Sequence, residues 1–192
     1  MRKLIEATHV SLGGEVGAID WAMPYLDDEH RRHVDELLAT ADALVLGRKT
    51  YEGLAAAYPP MEATAEGAFR DYVHRINTIP KHVATRSSAR LAWNARPLEG
   101  DVVQAIRALK AQPGGNLVKF GTGPLDALLL RHHLVDEYHF WLTPVAVPGT
   151  AQPLFEGVRD APALALRDVE AFRSGVVALV YSPPAPTTLG DP

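Results

Sequence analysis

The chain has 192 residues, of which 47% are hydrophobic and 22% charged, and its formal net charge is −4. This composition is typical of one globular domain, and the weakly acidic balance argues against nucleic acid as a partner. The chain contains no cysteine, which excludes disulfides, zinc–thiolate sites and iron–sulfur clusters. It has no apolar run of about 18 residues and no persuasive signal peptide, so we expect a cytoplasmic protein that does not span the membrane.

Strands and helices are predicted to alternate along the chain. Short apolar runs predict the strands, and apolar residues at intervals of three and four predict the helices. Strands are predicted at 3–12, 43–46, 78–84, 116–120, 135–147, 163–169 and 175–181. Helices are predicted at 26–41, 50–57, 62–75, 101–112 and 125–133. The second of these helices is expected to end at Tyr58-Pro59-Pro60, because proline disrupts a helix interior.

This order of elements predicts an α/β fold. A mostly parallel central sheet is expected between helices, with an antiparallel hairpin formed by the last two strands. One domain is expected over residues 1–182, because no linker or internal repeat divides the chain. The proline-rich residues 183–192 have too little apolar content to fold and are predicted to form a disordered tail.

Phosphate-binding residue types occur at the ends of three predicted strands. In an open parallel sheet such ends lie along one edge, where helix N-termini attract anions and arginine can bind phosphate through two hydrogen bonds. The segments are Gly47-Arg48-Lys49-Thr50, Thr85-Arg86-Ser87-Ser88 and Gly121-Thr122-Gly123-Pro124. Each segment by itself is also typical of an ordinary helix start. The third segment lacks the last glycine of the dinucleotide-binding fingerprint. Together they predict a site for an elongated ligand with more than one phosphate.

A family resemblance rests on four motifs that follow one another in the chain. They are LVLGRKTYEGL, HVATRS, NLVKFGTGPLDALLL and HLVDEYHFWLTPVAVPGTAQPLF. In these motifs the chain resembles the dihydrofolate reductase-like superfamily, and most closely the branch containing the C-terminal reductase domain of bacterial riboflavin biosynthesis proteins. The resemblance covers Arg2 to about Tyr181. It implies a three-layer dihydrofolate reductase-like fold, an NADPH-dependent reductase and a homodimer.

The resemblance also implies which residues bind the cofactor. The first segment would contact the pyrophosphate and the adenosine-side phosphate, the second the 2′-phosphoribose, and the third the pyrophosphate and nicotinamide side. The implied contacts are Gly47, Arg48, Lys49, Thr50, Thr85, Arg86, Ser87, Gly121, Thr122, Gly123 and Leu125. Two arginines that could serve the extra phosphate favour NADPH over NADH.

The candidate catalytic acids are Asp28 and Asp20. The loop 19–30, IDWAMPYLDDEH, resembles the mobile loop and first helix of dihydrofolate reductases, in which an acid near the helix start binds the pterin and assists protonation. A gapless comparison places His30 at that position instead. The acids at 27–29 are equally explained as the N-cap and first-turn residues of a helix.

Three aromatic residues are candidate substrate contacts. Trp21, Tyr25 and Tyr51 could line a flat pocket, although aromatic residues near loops are also common packing residues. Relatives in the riboflavin-like branch commonly have an acid where this chain has Gly13. The missing acid puts riboflavin-pathway chemistry in doubt, and Asp20 in the same loop could partly replace it. The expected substrate is a small molecule, pteridine- or pyrimidine-like or otherwise. The alternative is a nucleotide-binding protein of the same fold that has lost catalysis.

No metal site is expected. The histidines at 30 and 33, and those at 132, 133 and 139, are predicted to lie at the surface, since adjacent helical histidines point in different directions. The strand 138–142 carries large apolar residues on both faces. Either one face forms the interface of a homodimer, or both are covered by helices of the same chain.

Overall fold

The computed structural model describes residues 1–17, 19–87, 90–147, 152–158 and 163–184. Its strands are β1 (Leu4–Val10), β2 (Glu15–Val16), β3 (Ala41–Gly47), β4 (Lys81–Ala84), β5 (Ala95–Pro97), β6 (Asn116–Phe120), β7 (Glu137–Leu142), β8 (Gln152–Pro153), β9 (Ala165–Ala171) and β10 (Val177–Ser182). Its helices are α1 (Asp28–Ala39), α2 (Arg48–Met61), α3 (Gly67–Thr78), α4 (Val102–Ala111) and α5 (Pro124–Arg131). Residues 185–192, most of the predicted tail, lie outside the described ranges, as does Ser88.

Within these ranges, eight strands form one sheet in the order β5-β4-β3-β6-β1-β7-β10-β9. The neighbours from β5 to β7 are parallel, whereas β10 runs antiparallel to both β7 and β9. Helices α1, α2 and α3 pack on one face of the sheet, and α4 and α5 pack on the other. This arrangement confirms the predicted α/β fold, with a mostly parallel sheet and an antiparallel C-terminal hairpin.

Helix α1 begins where the acids of the sequence predict. The Asp27 side chain accepts a hydrogen bond from the His30 backbone N–H at 2.9 Å, which caps the helix. Its buried residues are His30, Val34, Leu37 and Leu38, at the i, i+4, i+7 and i+8 positions of one helical face. This spacing turns an imidazole toward the sheet together with the leucines.

Helix α2 does not stop at Tyr58, so the predicted end was wrong. It continues through Pro59 and Pro60 to Met61. The last turn loses the N–H groups of two prolines, but Tyr58 is held from outside the helix. Its hydroxyl lies 2.8 Å from that of Tyr72, and its carbonyl accepts a hydrogen bond from Asn77 Nδ2 at 3.3 Å. These tertiary contacts keep the helical path where propensity alone would end it.

Several predicted strands are shorter than expected. Thr78 ends α3, so β4 starts only at Lys81, and β7 covers Glu137–Leu142 of the predicted 135–147. The strands β2, β5 and β8 have two or three residues each and were not predicted, because such short segments show no periodicity.

Strand β7 lies inside the sheet, between β1 and β10. Tyr138, Phe140 and Trp141 are buried within the chain. The homodimer stays a prediction. In the part of the chain that the structure describes, no helix combines the length and apolar character needed to cross a membrane.

Candidate functional site

The three predicted phosphate-binding segments lie side by side at the carboxyl edge of the sheet. Strands β4, β3 and β6 are neighbours, and the register pairs Gly47 with Ala84, the residue before Thr85. Arg48 Nη1 donates a hydrogen bond to Thr85 Oγ1 at 3.2 Å, which joins the first two segments. Gly121 of the third segment approaches Thr50 of the first. The structure thus brings these segments together, while their role as cofactor ligands remains a prediction.

The N-terminus of α2 is open to an anion. Its N-cap, Gly47, offers no side chain to accept a hydrogen bond from the first turn, so backbone N–H groups there are left for a ligand. Arg48 is half-buried and its Nε donates to Glu52 Oε1 at 2.5 Å. Lys49 and Arg86 are exposed. The edge therefore offers helix N–H groups and cations to a polyanionic ligand.

The turn Gly121–Gly123, here called the glycine turn, is shaped for a close approach. Gly121 has φ +68°, and a Cβ at this position would lie 3.0 Å from Thr50 Oγ1. Its N–H donates to the carbonyl of Ala7 in β1 at 3.2 Å. Thr122 Oγ1 is buried without a hydrogen-bond partner. A glycine is required at 121 because both its backbone conformation and the lack of space disfavour a side chain.

A buried ionic cluster contacts the glycine turn. Lys119 and Glu6 side chains are each 2% exposed, and Lys119 forms an ion pair with Asp126. Lys119 Nζ also donates to the Gly121 carbonyl at 2.5 Å, while Asp126 accepts from the Gly123 N–H. Burial raises the pKa of Glu6 well above its ordinary value, although Lys119 opposes the rise. We infer a buried Lys119–Asp126 ion pair beside a neutral Glu6.

Sequence reasoning did not find this cluster. Its members lie on β1, β6 and α5, and Glu6 and Lys119 come together only because β1 pairs with β6. The available signal was the presence of one charged residue inside each of two otherwise apolar strands.

On the other face of the sheet, near the same edge, lies a group of rings. The ring centroids of His9 and His30 are 4.7 Å apart, and Trp141 lies 5.0 Å from the first and 4.8 Å from the second. Burial lowers the pKa of His9 to about 3 and that of His30 to about 4. Both imidazoles are therefore neutral near pH 7.

The prediction that His30 lies at the surface was wrong. It is 5% exposed, because it belongs to the apolar face of α1. His33 and His139 also pack between α1 and β7, with ring centroids 6.1 Å apart. Among the described residues, no group of three or more His, Asp or Glu residues is arranged to hold a metal ion.

The two predicted catalytic acids lie at the surface. The Asp28 side chain is 92% exposed and pairs with Arg31 on the outside of α1. Asp20 is exposed in the loop before α1. Their role in protonating a substrate stays a prediction.

The three predicted substrate-binding aromatics differ in burial. Tyr51 is buried, and its hydroxyl exchanges two hydrogen bonds with the backbone of Ala92, at 3.1 and 3.0 Å. Trp21 and Tyr25 are half-buried, and Tyr25 packs against the apolar cluster that contains Trp141. Tyr51 thus has the contacts of a packing residue.

The place of the missing acid at Gly13 is taken by another carboxylate. A Cβ at Gly13 would collide with the carboxylate of Glu15, which accepts a hydrogen bond from Ser11 Oγ. The Ser11 hydroxyl in turn accepts from the Gly13 N–H at 3.2 Å. An acid is therefore present in this loop, two residues later in the sequence than expected.

Comparison with known proteins agrees with this fold. Residues 2–178 match the family described as the RibD C-terminal domain. The chain is 25% identical over 184 residues to the uncharacterized protein YyaP of Bacillus subtilis (strain 168), with 94% of each chain covered. Its fold is similar to that of a putative riboflavin biosynthesis protein from Shewanella sp. PV-4, with a TM-score of 0.71, 18% identity, and 95% and 99% of the two chains covered.

A second solved structure has the same fold within a longer chain. It is a diaminohydroxyphosphoribosylaminopyrimidine deaminase/5-amino-6-(5-phosphoribosylamino)uracil reductase from Thermotoga maritima, with a TM-score of 0.66 and 16% identity. The similarity covers 95% of this chain and 56% of that one. At these identities the structural neighbours show the fold alone.

Proposed function

The chain belongs to the RibD C-terminal domain family, and on that basis we propose that it is an NADPH-dependent reductase of a small pteridine- or pyrimidine-like heterocycle. One structural neighbour is named a riboflavin biosynthesis protein, and another is named in part a uracil reductase. Both names describe chemistry on flat nitrogen heterocycles. The family and these names support a reductase and the general class of its substrate.

The proposed cofactor site rests on the proximity of three features. The uncapped N-terminus of α2, the Arg48–Thr85 contact of 3.2 Å and the glycine turn adjoin one another at one sheet edge. The buried Thr122 hydroxyl without a partner fits a ligand that supplies the missing hydrogen bond. These residues fit a dinucleotide with phosphates along its length.

In this proposal the chain binds and orients the reactants. The helix α2 N-terminus holds the pyrophosphate, Arg48 and Arg86 bind the 2′-phosphate, and the glycine turn allows backbone to approach the cofactor. When bound, NADPH supplies the hydride. The buried Lys119–Asp126 pair fixes the glycine turn, so that its geometry is set before the cofactor arrives.

We expect Arg48→Ala to weaken NADPH binding by about tenfold or more and to leave NADH binding nearly unchanged. A hydrogen bond to a charged group contributes roughly 1.5–3 kcal/mol, and the 2′-phosphate is what distinguishes the two cofactors. Calorimetry and energy transfer from tryptophan to reduced nicotinamide measure both affinities. Arg107→Ala, at an exposed position of α4 on the other face, is the matched control.

The two parts of this experiment test different claims. Wild-type protein that binds neither cofactor would overturn the reductase proposal. Equal loss of NADPH and NADH affinity in Arg48→Ala would retain the cofactor site but contradict the recognition of the 2′-phosphate by this residue.

A turnover assay distinguishes the reductase from the alternative, a binding protein without catalysis. The lack of an acid at Gly13 favours the alternative in which catalysis is lost. Glu15, however, places a carboxylate in the same loop. We expect oxidation of NADPH in the presence of at least one compound from a panel of pteridines, pyrimidines and quinones. Tight NADPH binding without oxidation across the panel would favour the binding protein.

We also propose that the chain forms a homodimer through one face of strands β9 and β10. A register shift in β9 places Leu166 opposite Tyr181 and Val169 opposite Leu179, so both project on one face, where they are 53% and 55% exposed. Beside them lies an apolar depression of about 270 Å³, lined by Val10, Phe140, Leu154, Phe155, Leu179 and Tyr181. Covering this surface requires a partner.

We expect sedimentation equilibrium at micromolar concentration to give twice the chain mass of 20.8 kDa. Leu166→Lys combined with Val169→Lys should give the monomer mass, because two buried lysines would lack counter-charges in a symmetric interface. A wild-type mass near 20.8 kDa would overturn the proposal.

A further inference from the structure

Lys81, the first residue of β4, is a buried cation without a counter-ion. It is closed to solvent, and its Nζ donates hydrogen bonds to the carbonyls of Ile79 at 2.7 Å and Asn77 at 3.3 Å. The ammonium lies 4.0 Å from the centroid of the Trp93 ring. Three other lysines pair with carboxylates, but within the described residues Lys81 does not. Since lysine is rarely buried unless it is paired, an anion is the partner that this position lacks.

The two carbonyls neutralise this charge only in part. They belong to the end of α3, where a cation is favourable because the helix C-terminus carries a partial negative charge. That partial charge is roughly half an elementary charge, so it does not balance a whole ammonium. Burial accordingly lowers the pKa of Lys81 to about 8. Capping of α3 therefore explains the position of the ammonium but leaves its charge incompletely compensated.

A cavity of about 410 Å³, here called the edge cavity, lies against Lys81. Its volume is in the range of small-molecule sites. Its apolar lining residues are Pro80, Leu91, Ala92 and Ala95. Arg96 also lines the cavity and is exposed, and its Nε lies 3.4 Å from His82 Nδ1. No carboxylate of the described residues forms an ion pair with Arg96, so the edge cavity combines apolar walls with two uncompensated cations.

The edge cavity is separate from the proposed cofactor site. Lys81 begins β4, whereas the phosphate-binding segment at Thr85 follows the other end of this strand of four residues. Four residues of strand span about 13 Å. A ligand in the edge cavity would therefore be additional to the cofactor.

The outer wall of the edge cavity has a strained backbone. Trp93 and Asn94 have φ values of 57° and 51°, a left-handed conformation that is uncommon for residues other than glycine. Trp93 Nε1 donates to Asn77 Oδ1 at 2.8 Å, and Asn94 Nδ2 donates to the Thr78 carbonyl at 2.6 Å. These hydrogen bonds to α3 hold the wall in place. Strain that is maintained by surrounding contacts is frequent at binding sites.

We propose that the edge cavity binds a small carboxylate with an apolar body. The carboxylate forms the missing ion pair with Lys81, and the apolar body packs against the walls at Leu91 and Ala95. The exposed Arg96 attracts the anion. Because Lys81 borders the cavity but is closed to water, a wall residue has to shift as the ligand binds.

Two probes of nearly the same shape test this proposal. 2-Naphthoate carries a carboxylate, and 2-naphthamide carries a neutral amide on the same ring system. At pH 7 we expect the wild-type protein to bind 2-naphthoate about tenfold more tightly, because a hydrogen bond between charged groups is stronger than one to a neutral group. Equilibrium dialysis measures both affinities. The preference should be the same with and without NADP⁺, because the two sites lie at opposite ends of β4.

Variants of the two cations show whether the edge cavity is responsible. Lys81→Met should lower the affinity for 2-naphthoate to about that for 2-naphthamide and leave the latter unchanged, because methionine keeps the apolar chain without the charge. Arg96→Gln should cause a smaller loss, since this side chain is exposed. Arg107→Gln, at an exposed position of α4, is the matched control and should keep the wild-type preference.

The pH dependence of the wild-type protein gives a second test, which does not need Lys81→Met to fold. Between pH 7.0 and pH 9.5 the affinity for 2-naphthoate should fall about tenfold as Lys81 loses its proton, while that for 2-naphthamide stays constant. Neighbouring groups keep their charge. Burial, and then Arg96, lower the pKa of His82 to about 4, and arginine stays protonated. Burial raises the pKa of Tyr58, which stacks on Trp93.

Three results would overturn this inference. They are equal binding of the two probes by the wild type, an unchanged preference in Lys81→Met, and displacement of 2-naphthoate by NADP⁺. The last result would place the anion in the cofactor site. None of the three bears on the proposed function, because NADPH binding is measured separately.

Discussion

Replacing Lys119 by methionine is expected to lower the free energy of unfolding by about 3–5 kcal/mol, since removal of one partner leaves a buried charge uncompensated. The Lys119 side chain is 2% exposed and pairs with Asp126. The Asp126 carboxylate cannot turn to solvent, because it also accepts the Gly123 N–H. Methionine fills a similar volume, so the loss reports the charge rather than a cavity.

Urea denaturation measures this change, with the midpoint shifted and the m-value retained. The matched control is Lys3→Met, because the Lys3 side chain is 55% exposed in its ion pair with Glu137. That substitution should cost less than about 1 kcal/mol. If Lys119→Met were equally mild, the buried cluster would not need the lysine charge.

Two further variants test the charge state of the cluster. Adding Asp126→Asn to Lys119→Met should recover most of the lost stability, because the amide oxygen still accepts the Gly123 N–H without a charge. Glu6→Gln should change the stability by less than about 1 kcal/mol, because the acid it replaces is already neutral. A large loss in Glu6→Gln would mean that Glu6 is ionised in the folded protein.

Lys119→Met should also weaken NADPH binding if the glycine turn belongs to the cofactor site. Lys119 Nζ donates to the Gly121 carbonyl, which fixes the turn that faces Thr50. The stability effect depends only on burial and charge, whereas the binding effect depends also on the proposed function. Measuring both in one variant separates the structural role from the functional one.

The phosphate-binding edge was predictable because its signals are local. An apolar run of four residues predicts a buried strand, a following glycine and cation predict a helix start, and the parallel sheet places such starts at one edge. Gly47, Arg48 and Gly121 were found in this way. The Arg48–Thr85 contact required only that β3 and β4 be neighbours.

The buried polar groups were not predicted, for two different reasons. Glu6 and Lys119 are 113 residues apart, and their contact follows from the order of strands in the sheet, which residue spacing does not contain. His30 could have been found. It occupies the same helical face as Val34 and Leu38, whereas the acids at the helix start indicate Asp28. The periodicity that identified the helix also determined which residue turns inward.

The buried histidines make the fold sensitive to acid. Burial is the main reason that the pKa is about 3 for His9 and about 4 for His30, compared with about 6.5 in an unfolded chain. Above about pH 6.5 neither state binds these protons, and the stability is complete. As the pH falls below this value, the unfolded chain takes up protons that the folded protein excludes. Stability is therefore lost on acidification, until the folded histidines themselves are protonated.

The expected loss between pH 7.0 and pH 5.0 is about 2 kcal/mol for each of the two histidines. In His9→Leu the difference in unfolding free energy between these pH values should shrink by about that amount, whereas His132→Gln, outside the cluster, should keep the wild-type difference. Carboxylates contribute equally to the pH dependence of the unfolding free energy in all three proteins. The difference between the proteins therefore reports the protonation of the imidazole. Identical pH dependence in His9→Leu and wild type would show that folding does not lower the pKa of His9. Because His9 and His30 face each other at 4.7 Å, a charge on one opposes a charge on the other, so the folded pair takes up its two protons in separate steps.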